Sequence, residues 1–286
     1  MGIITGLISM VCWGTGDFLA ALASRRFGNL RTNFWMMTVS FILATAYFTT
    51  QLTTFTIASV QPYLVLLIAV AVFQAIAYLA FYRGLETGMV SVVSPVGASF
   101  ALVTVILSVL FYGEHLKLTQ VTGILLISSG IIGVSLNLED LKKIRRLSVV
   151  KGVREALVAM MGWGISLFLI VPASKALGWF LPVYIFRFFA IIFILAANIV
   201  SRQTLRIPIK PGNLLLLLPI GIFDISAFFS YSLGVSSQYA SVVASVGGAF
   251  AMVTVLLARV FLREKLHPNQ LAGIAAIIAG IALISY

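Results

Sequence analysis

Ionisable side chains are scarce inside the apolar stretches of this chain, and those present mark where chemistry could occur. Asp17 closes the run Trp13-Gly14-Thr15-Gly16-Asp17, Asp224 lies deep in a later stretch, and Arg187 sits two turns into another. A charged residue at the centre of a membrane helix costs about 2.5–3.5 kcal/mol on insertion scales, so it normally faces a cavity or a partner. Asp17 reads either as a carboxylate lining a solute path or as a helix-end group paired with Arg25 or Arg26. The glycines before it would let a backbone or a ligand approach closely. Arg187 could clamp a substrate carboxylate, snorkel to the interface or join a structural ion pair. A carboxylate that binds and releases protons in such a cavity would allow proton coupling through Asp17 or Asp224.

Around these charges stand polar groups at helical spacing. Gln74 lies 150 positions before Asp224, and Tyr78 and Tyr82 follow it on one stripe. Tyr231 occupies the place of Phe81 under the same shift and could form an opposite wall. Aromatic rings with polar tips, together with Trp13 and Trp163, suit amphipathic solutes, although such a stripe also serves as packing. Gln74 and Asp224 read equally as cavity groups or as partners in hydrogen bonds between helices.

The elements that must position these groups are membrane helices. With 61% hydrophobic residues, 9% charged and a mean hydropathy of +1.11, the chain is too poor in charge for a soluble globule, whose charged share is about a quarter. Ten apolar stretches are predicted as spans, at 2–23, 31–50, 63–84, 88–113, 118–138, 152–174, 179–201, 212–233, 238–262 and 268–286. Each approaches the roughly 20 residues that a bilayer core requires. Residues 2–23 lack a basic leader and read as a retained helix. The single cysteine, Cys12, excludes an intramolecular disulfide and a cysteine-cluster metal site.

The chain also repeats itself at a shift of 150 residues. Residues 91–136 laid on 241–286 without a gap give 21 identities in 46 positions, including Gly97/Gly247, Phe100/Phe250, Thr104/Thr254, Glu114/Glu264 and Gly123/Gly273. A unit with five spans must insert upside down relative to its copy, which is the inverted repeat of alternating-access transporters. Of the 19 basic residues, sixteen fall after odd-numbered spans and two, Lys117 and Lys175, on the other side. This bias predicts both termini outside and the linker 139–151 in the cytoplasm. It also accounts for the net charge of +11 as helix flanks, without a nucleic-acid partner.

Paired Trp-Gly dipeptides (Trp13-Gly14, Trp163-Gly164), a small-residue fourth helix and the ending Glu-x-Leu-x-x-x-Gln-x-x-Gly, at Glu114 and again at Glu264, resemble EamA domains. The resemblance covers two tandem copies, 1–138 and 152–286, and is similar to ten-helix members of the drug/metabolite transporter superfamily. It implies an all-α integral membrane protein that moves small metabolites, with amino-acid exporters a prominent branch. Many members of that family have cytoplasmic termini, whereas the charges here argue for termini outside.

Interrupted helices at matching points of two halves point to a transporter's central site. Ser94, Pro95 and Gly97 occupy that place in the fourth span, and Ser245, Gly247 and Gly248 in the ninth. Gly123, Gly130, Gly133, Gly273 and Gly280 are expected to pack spans five and ten against their own repeat. Glu114 and Glu264 are expected to cap or order short loops.

An enzyme is disfavoured, because His115 and His267 lack metal-ligand spacing and no nucleophile has a base near it. No phosphate loop or cofactor motif is present. The expectation is an alternating-access secondary transporter in the plasma or inner membrane. Amino acids or similar zwitterions lead as substrates, and quaternary-ammonium drugs are the alternative. The proposed walls lack the arginine and lysine clamps that sugar nucleotides need.

Overall fold

The computed structural model describes residues 2–50, 57–88, 90–135, 151–202, 204–207, 211–262 and 267–285. Most of the expected linker, residues 139–150, lies outside the described residues, as does Glu264.

Helix follows helix because apolar runs leave the backbone no polar partner but itself. The first half holds α1 (Gly2–Phe27), α2 (Asn29–Thr49), α3 (Leu64–Thr87), α4 (Val90–Ala98), α5 (Phe100–Tyr112) and α6 (Leu118–Ser135). Short helical turns at Ile57–Val60 and Gln61–Tyr63 lead into α3. The second half holds α7 (Val153–Leu177), α8 (Leu181–Val200), α9 (Pro211–Ser237), α10 (Ala240–Gly248), α11 (Phe250–Leu262) and α12 (Pro268–Ile284). Each expected span falls on a helix, and the fourth and ninth are each split in two. Among the described residues, seven segments are long and apolar enough to cross a membrane, counting Val92–Tyr112 and Ala240–Phe261 as continuous. Leu118–Val134 and Pro268–Ile284 are shorter apolar helices, and α2, which begins with Asn29, Arg31 and Asn33, is not among the seven.

The connection from α1 to α2 is the single residue Gly28, whose φ of +89° suits glycine. Exposed apolar side chains such as Ile4, Val65, Phe111, Val200 and Phe261 stud the outside. Water would penalise that surface, and hydrocarbon does not.

The two halves pack crosswise. Helix α1 lies against α9, α10 and α11, while α7 lies against α3, α4 and α5. Glycines permit these approaches: a Cβ on Gly14 would stand 2.5 Å from Cβ of Val253, and one on Gly164 would collide with Val103 in the same way. Thr254 donates its hydroxyl to the Gly14 carbonyl at 3.1 Å, and Thr104 donates to Gly164, also at 3.1 Å. Positions 150 residues apart thus make the same bond in each half.

The glycine-rich helices differ from expectation. Helices α6 and α12 pack chiefly on each other across the two halves, and α6 also touches α4 of its own half. A Cβ on Gly123 would lie 2.6 Å from the Gly280 carbonyl oxygen, and one on Gly130 would lie 2.7 Å from that of Gly273. Spacing of small residues reports close approach and leaves the identity of the neighbour open.

Candidate functional site

The split helices shape the centre. In the first half the break falls at Ser99, where the N–H reaches both the Pro95 carbonyl at 3.1 Å and the Val96 carbonyl at 3.2 Å. In the second half it falls at Ala249, whose N–H bonds to Val246 at 3.2 Å. The residues just past the two breaks are Phe100 and Phe250, which stack with ring centroids 6.2 Å apart.

These rings belong to a narrow, nearly closed central cavity of about 20 Å³, lined by Trp13, Asp17, Tyr78, Phe100, Trp163, Leu167, Asp224, Phe228 and Phe250. A shift of 150 residues sorts the nine into Trp13/Trp163, Asp17/Leu167, Tyr78/Phe228 and Phe100/Phe250, with Asp224 left over. The halves therefore contribute equivalent positions to one cavity. Trp13 meets Phe228 at 5.3 Å and Phe100 at 5.8 Å, edge to face. Trp163 meets Tyr78 at 5.5 Å and Phe100 at 6.3 Å in the same manner.

The two carboxylates in this wall differ in kind. Asp224 is saturated: Tyr78 donates its hydroxyl to Oδ1, Ser40 donates to Oδ2 at 3.3 Å, and Nη1 of Arg187 stands 2.6 Å from Oδ2. Arg187 is fully buried, with its guanidinium 4.7 Å from the Phe228 ring centroid and Nη1 3.0 Å from the sulfur of Met37. Of the three readings open for Arg187, the geometry is that of the structural ion pair. Its Nε and Nη2 have no hydrogen-bond partner. Asp17, by contrast, makes no hydrogen bond or ion pair with any described residue. Its sequence-suggested partners are engaged elsewhere: Arg25 donates to the Leu85 and Gly88 carbonyls, and Arg26 stacks over Phe27 at 5.2 Å.

Of the residues expected in the site, Trp13, Asp17, Tyr78, Trp163 and Asp224 line the cavity. Tyr231 and Tyr82 stand one layer behind. The ring of Tyr231 packs 5.9 Å from Trp13 while its hydroxyl donates to the Leu167 carbonyl at 3.2 Å. Tyr82 packs 6.0 Å from Tyr78. Gln74 is buried and donates to the Ser166 hydroxyl at 2.8 Å, between helices rather than into the cavity. Ser94, Pro95 and Ser245 do not reach the cavity wall. Ser94 is fully buried without a partner, and Ser245 bonds back to the Ser241 carbonyl at 2.7 Å. The break is a tightened turn whose backbone groups stay paired, so its gift to the cavity is the aromatic residue that follows it. Phe100, Leu167, Phe228 and Phe250 complete the wall without having been expected there. All four sit 150 residues from an expected or repeated aromatic or carboxylate position, and that symmetry was the available signal.

Glu114 caps a helix, and the helix belongs to the other half. Its Oε1 accepts the Ala240 N–H at 2.7 Å and its Oε2 the Ser241 N–H at 3.1 Å, at the start of α10.

The EamA-like transporter family model matches residues 1–136 and 150–286. An uncharacterized protein of Methanocaldococcus jannaschii is 33% identical over 138 residues, which covers 47% of this chain and 96% of that one. A protein crystal structure aligns over 99% of this chain and 95% of its own with a TM-score of 0.74 at 15% identity, a likeness of fold.

Proposed function

The chain belongs to the EamA-like transporter family, and we propose that it is a secondary transporter working by alternating access, with the central cavity as its solute site. The observation that carries the reading is the make-up of that cavity, four pairs of equivalent positions from two halves plus Asp224. Two halves that supply matching walls can rock about a shared centre and open it to one face at a time. In this reading ten spans form two inverted five-helix units, 1–138 and 152–286, with both termini outside and the basic flanks in the cytoplasm.

The substrate is a small solute with an ammonium group on an apolar body, a class that spans amino acids, similar zwitterions and cationic amphiphiles. An unpartnered carboxylate among aromatic rings supports it, because both attract an ammonium group. The reading carries no covalent step and no cofactor. Proton exchange at Asp17 supplies the driving force, since one carboxylate without a fixed partner binds either a proton or a cation.

The test is flux into proteoliposomes, combined with cysteine accessibility at the cavity. Saturable uptake should rise with a pH gradient. Cysteine at Leu167, in a background with Cys12→Ser, should react with membrane-impermeant reagents from both faces. A cavity reachable from one face only, with no saturable flux, would sink alternating access.

A further inference from the structure

We infer that Asp17 makes this cavity selective for organic monocations over zwitterions, and that it holds the bound cation in one orientation, ammonium toward Asp17 and apolar body toward Leu167. The inference rests on the cavity being the solute site and narrows the solute class proposed for it.

The argument is a count of charges that the walls leave uncompensated. Asp224 and Arg187 form a 2.6 Å pair and cancel. Asp17 has no ion-pair partner among the described residues, so the wall presents one net negative charge whenever Asp17 is ionised. Around it stand six rings, Trp13, Tyr78, Phe100, Trp163, Phe228 and Phe250, whose faces attract a cation and cannot satisfy an anion. No basic side chain lines the cavity. Arg187 is not among the lining residues: it lies fully buried beside Phe228, with Nη1 paired to Asp224. A zwitterion therefore gains at its ammonium end and leaves its carboxylate without a cationic partner. The indole N–H of Trp163, buried with no acceptor, is a neutral donor suited to an ester, ether or hydroxyl oxygen.

Orientation follows from broken symmetry. Three of the four lining pairs match aromatic with aromatic, and the fourth sets Asp17 against Leu167. The lining is thus matched at every pair but this one, where a carboxylate stands in one half and an apolar side chain in the other.

The experiment uses the full-length protein in detergent and in proteoliposomes, with phenethylamine, phenylalanine methyl ester and phenylalanine as probes. Binding is read from tryptophan fluorescence, since two of the four tryptophans line the cavity. The amine and the ester should bind at least roughly tenfold more tightly than the amino acid, the lower end for stranding a charge without a partner. Asp17→Asn should erase that advantage. Asp17→Leu combined with Leu167→Asp should restore it by moving the charge to the equivalent position. Phenylalanine binding as well as the amine, or an amine preference that survives in Asp17→Asn, would overturn the selectivity. A relocated charge that restores nothing in a monodisperse protein would overturn the orientation. Cation binding without flux would count against the transport reading and leave this inference standing; zwitterion flux without amine preference would do the reverse.

Discussion

Replacing the ion pair of the second half by the residues that the first half carries at the same places is the sharpest test of how the centre is held. Arg187 and Asp224 correspond to Met37 and Gln74 at the 150-residue shift. In Asp224→Gln the guanidinium of Arg187, at 0% exposure, loses its one anionic partner and keeps neutral ones, the Tyr78 hydroxyl, the Met37 sulfur and the faces of Phe228 and Phe186 at 4.7 and 5.3 Å. Breaking a buried pair from one side costs on the order of 3–5 kcal/mol. At about 2–4 °C per kcal/mol, the apparent Tm should fall by roughly 6–20 °C. Arg187→Met should cost less, because Asp224 keeps the hydroxyls of Tyr78 and Ser40 as donors. The double variant removes both charges and substitutes groups of similar bulk, so it should recover most of the loss, to within about 1–2 kcal/mol of the parent. The assay is thermal unfolding of the purified protein followed by size-exclusion chromatography, in parallel for the four proteins of the cycle. Additive losses in the double variant, or an Asp224→Gln as stable as the parent, would refute the pairing as a structural lock.

Three further outcomes follow from the same geometry. Glu114→Ala strips the carboxylate from the first N–H groups of α10 and should cost about 1–2 kcal/mol, read from the same thermal assay, while Glu114→Gln should cost less by keeping one acceptor. Gly130→Leu forces a side chain toward the Gly273 carbonyl, where even a Cβ would stand at 2.7 Å, and should lower the yield of monodisperse protein far more than Gly212→Leu, where a Cβ meets nothing within 4 Å. Thr104→Val and Thr254→Val each remove one 3.1 Å bond to a glycine carbonyl, and their losses should be equal and small, about 0.6 kcal/mol each, by thermal shift.

The sequence carries some of this architecture openly because the same physical demand was met twice. Gly14 and Gly164 each admit a partner helix at a distance no side chain would allow, and Thr254 and Thr104 each bond to the carbonyl of that glycine. Two independent solutions at one shift are visible without any structure. What the shift hides is whatever one half does alone. Arg187 and Asp224 lie 37 positions apart on α8 and α9, and their counterparts, Met37 and Gln74, carry no charge. Nothing in spacing joins them, so Arg187 stayed open among three roles and Asp224 between a cavity group and a hydrogen-bonding partner between helices.

The broken helices show the other limit. Proline suggests a break at Pro95, yet the turn tightens at Ser99, and the second half breaks at Ala249 with no proline near it. A common cause must lie outside proline. Close packing supplies one, because a Cβ on Gly248 would stand 2.6 Å from that of Ala101, where the split helices of the two halves cross. At Gly248 the crossing leaves no room for a side chain, and in both halves the residue just past the turn, Phe100 or Phe250, lines the central cavity. A serine-lined polar break was the natural reading of Ser94 and Ser245 taken one helix at a time. Read as a pair at the crossing, the identical phenylalanines one step past each break were the stronger signal, and with them the cavity becomes an aromatic chamber in which Asp17 is the lining carboxylate without an ion-pair partner among the described residues.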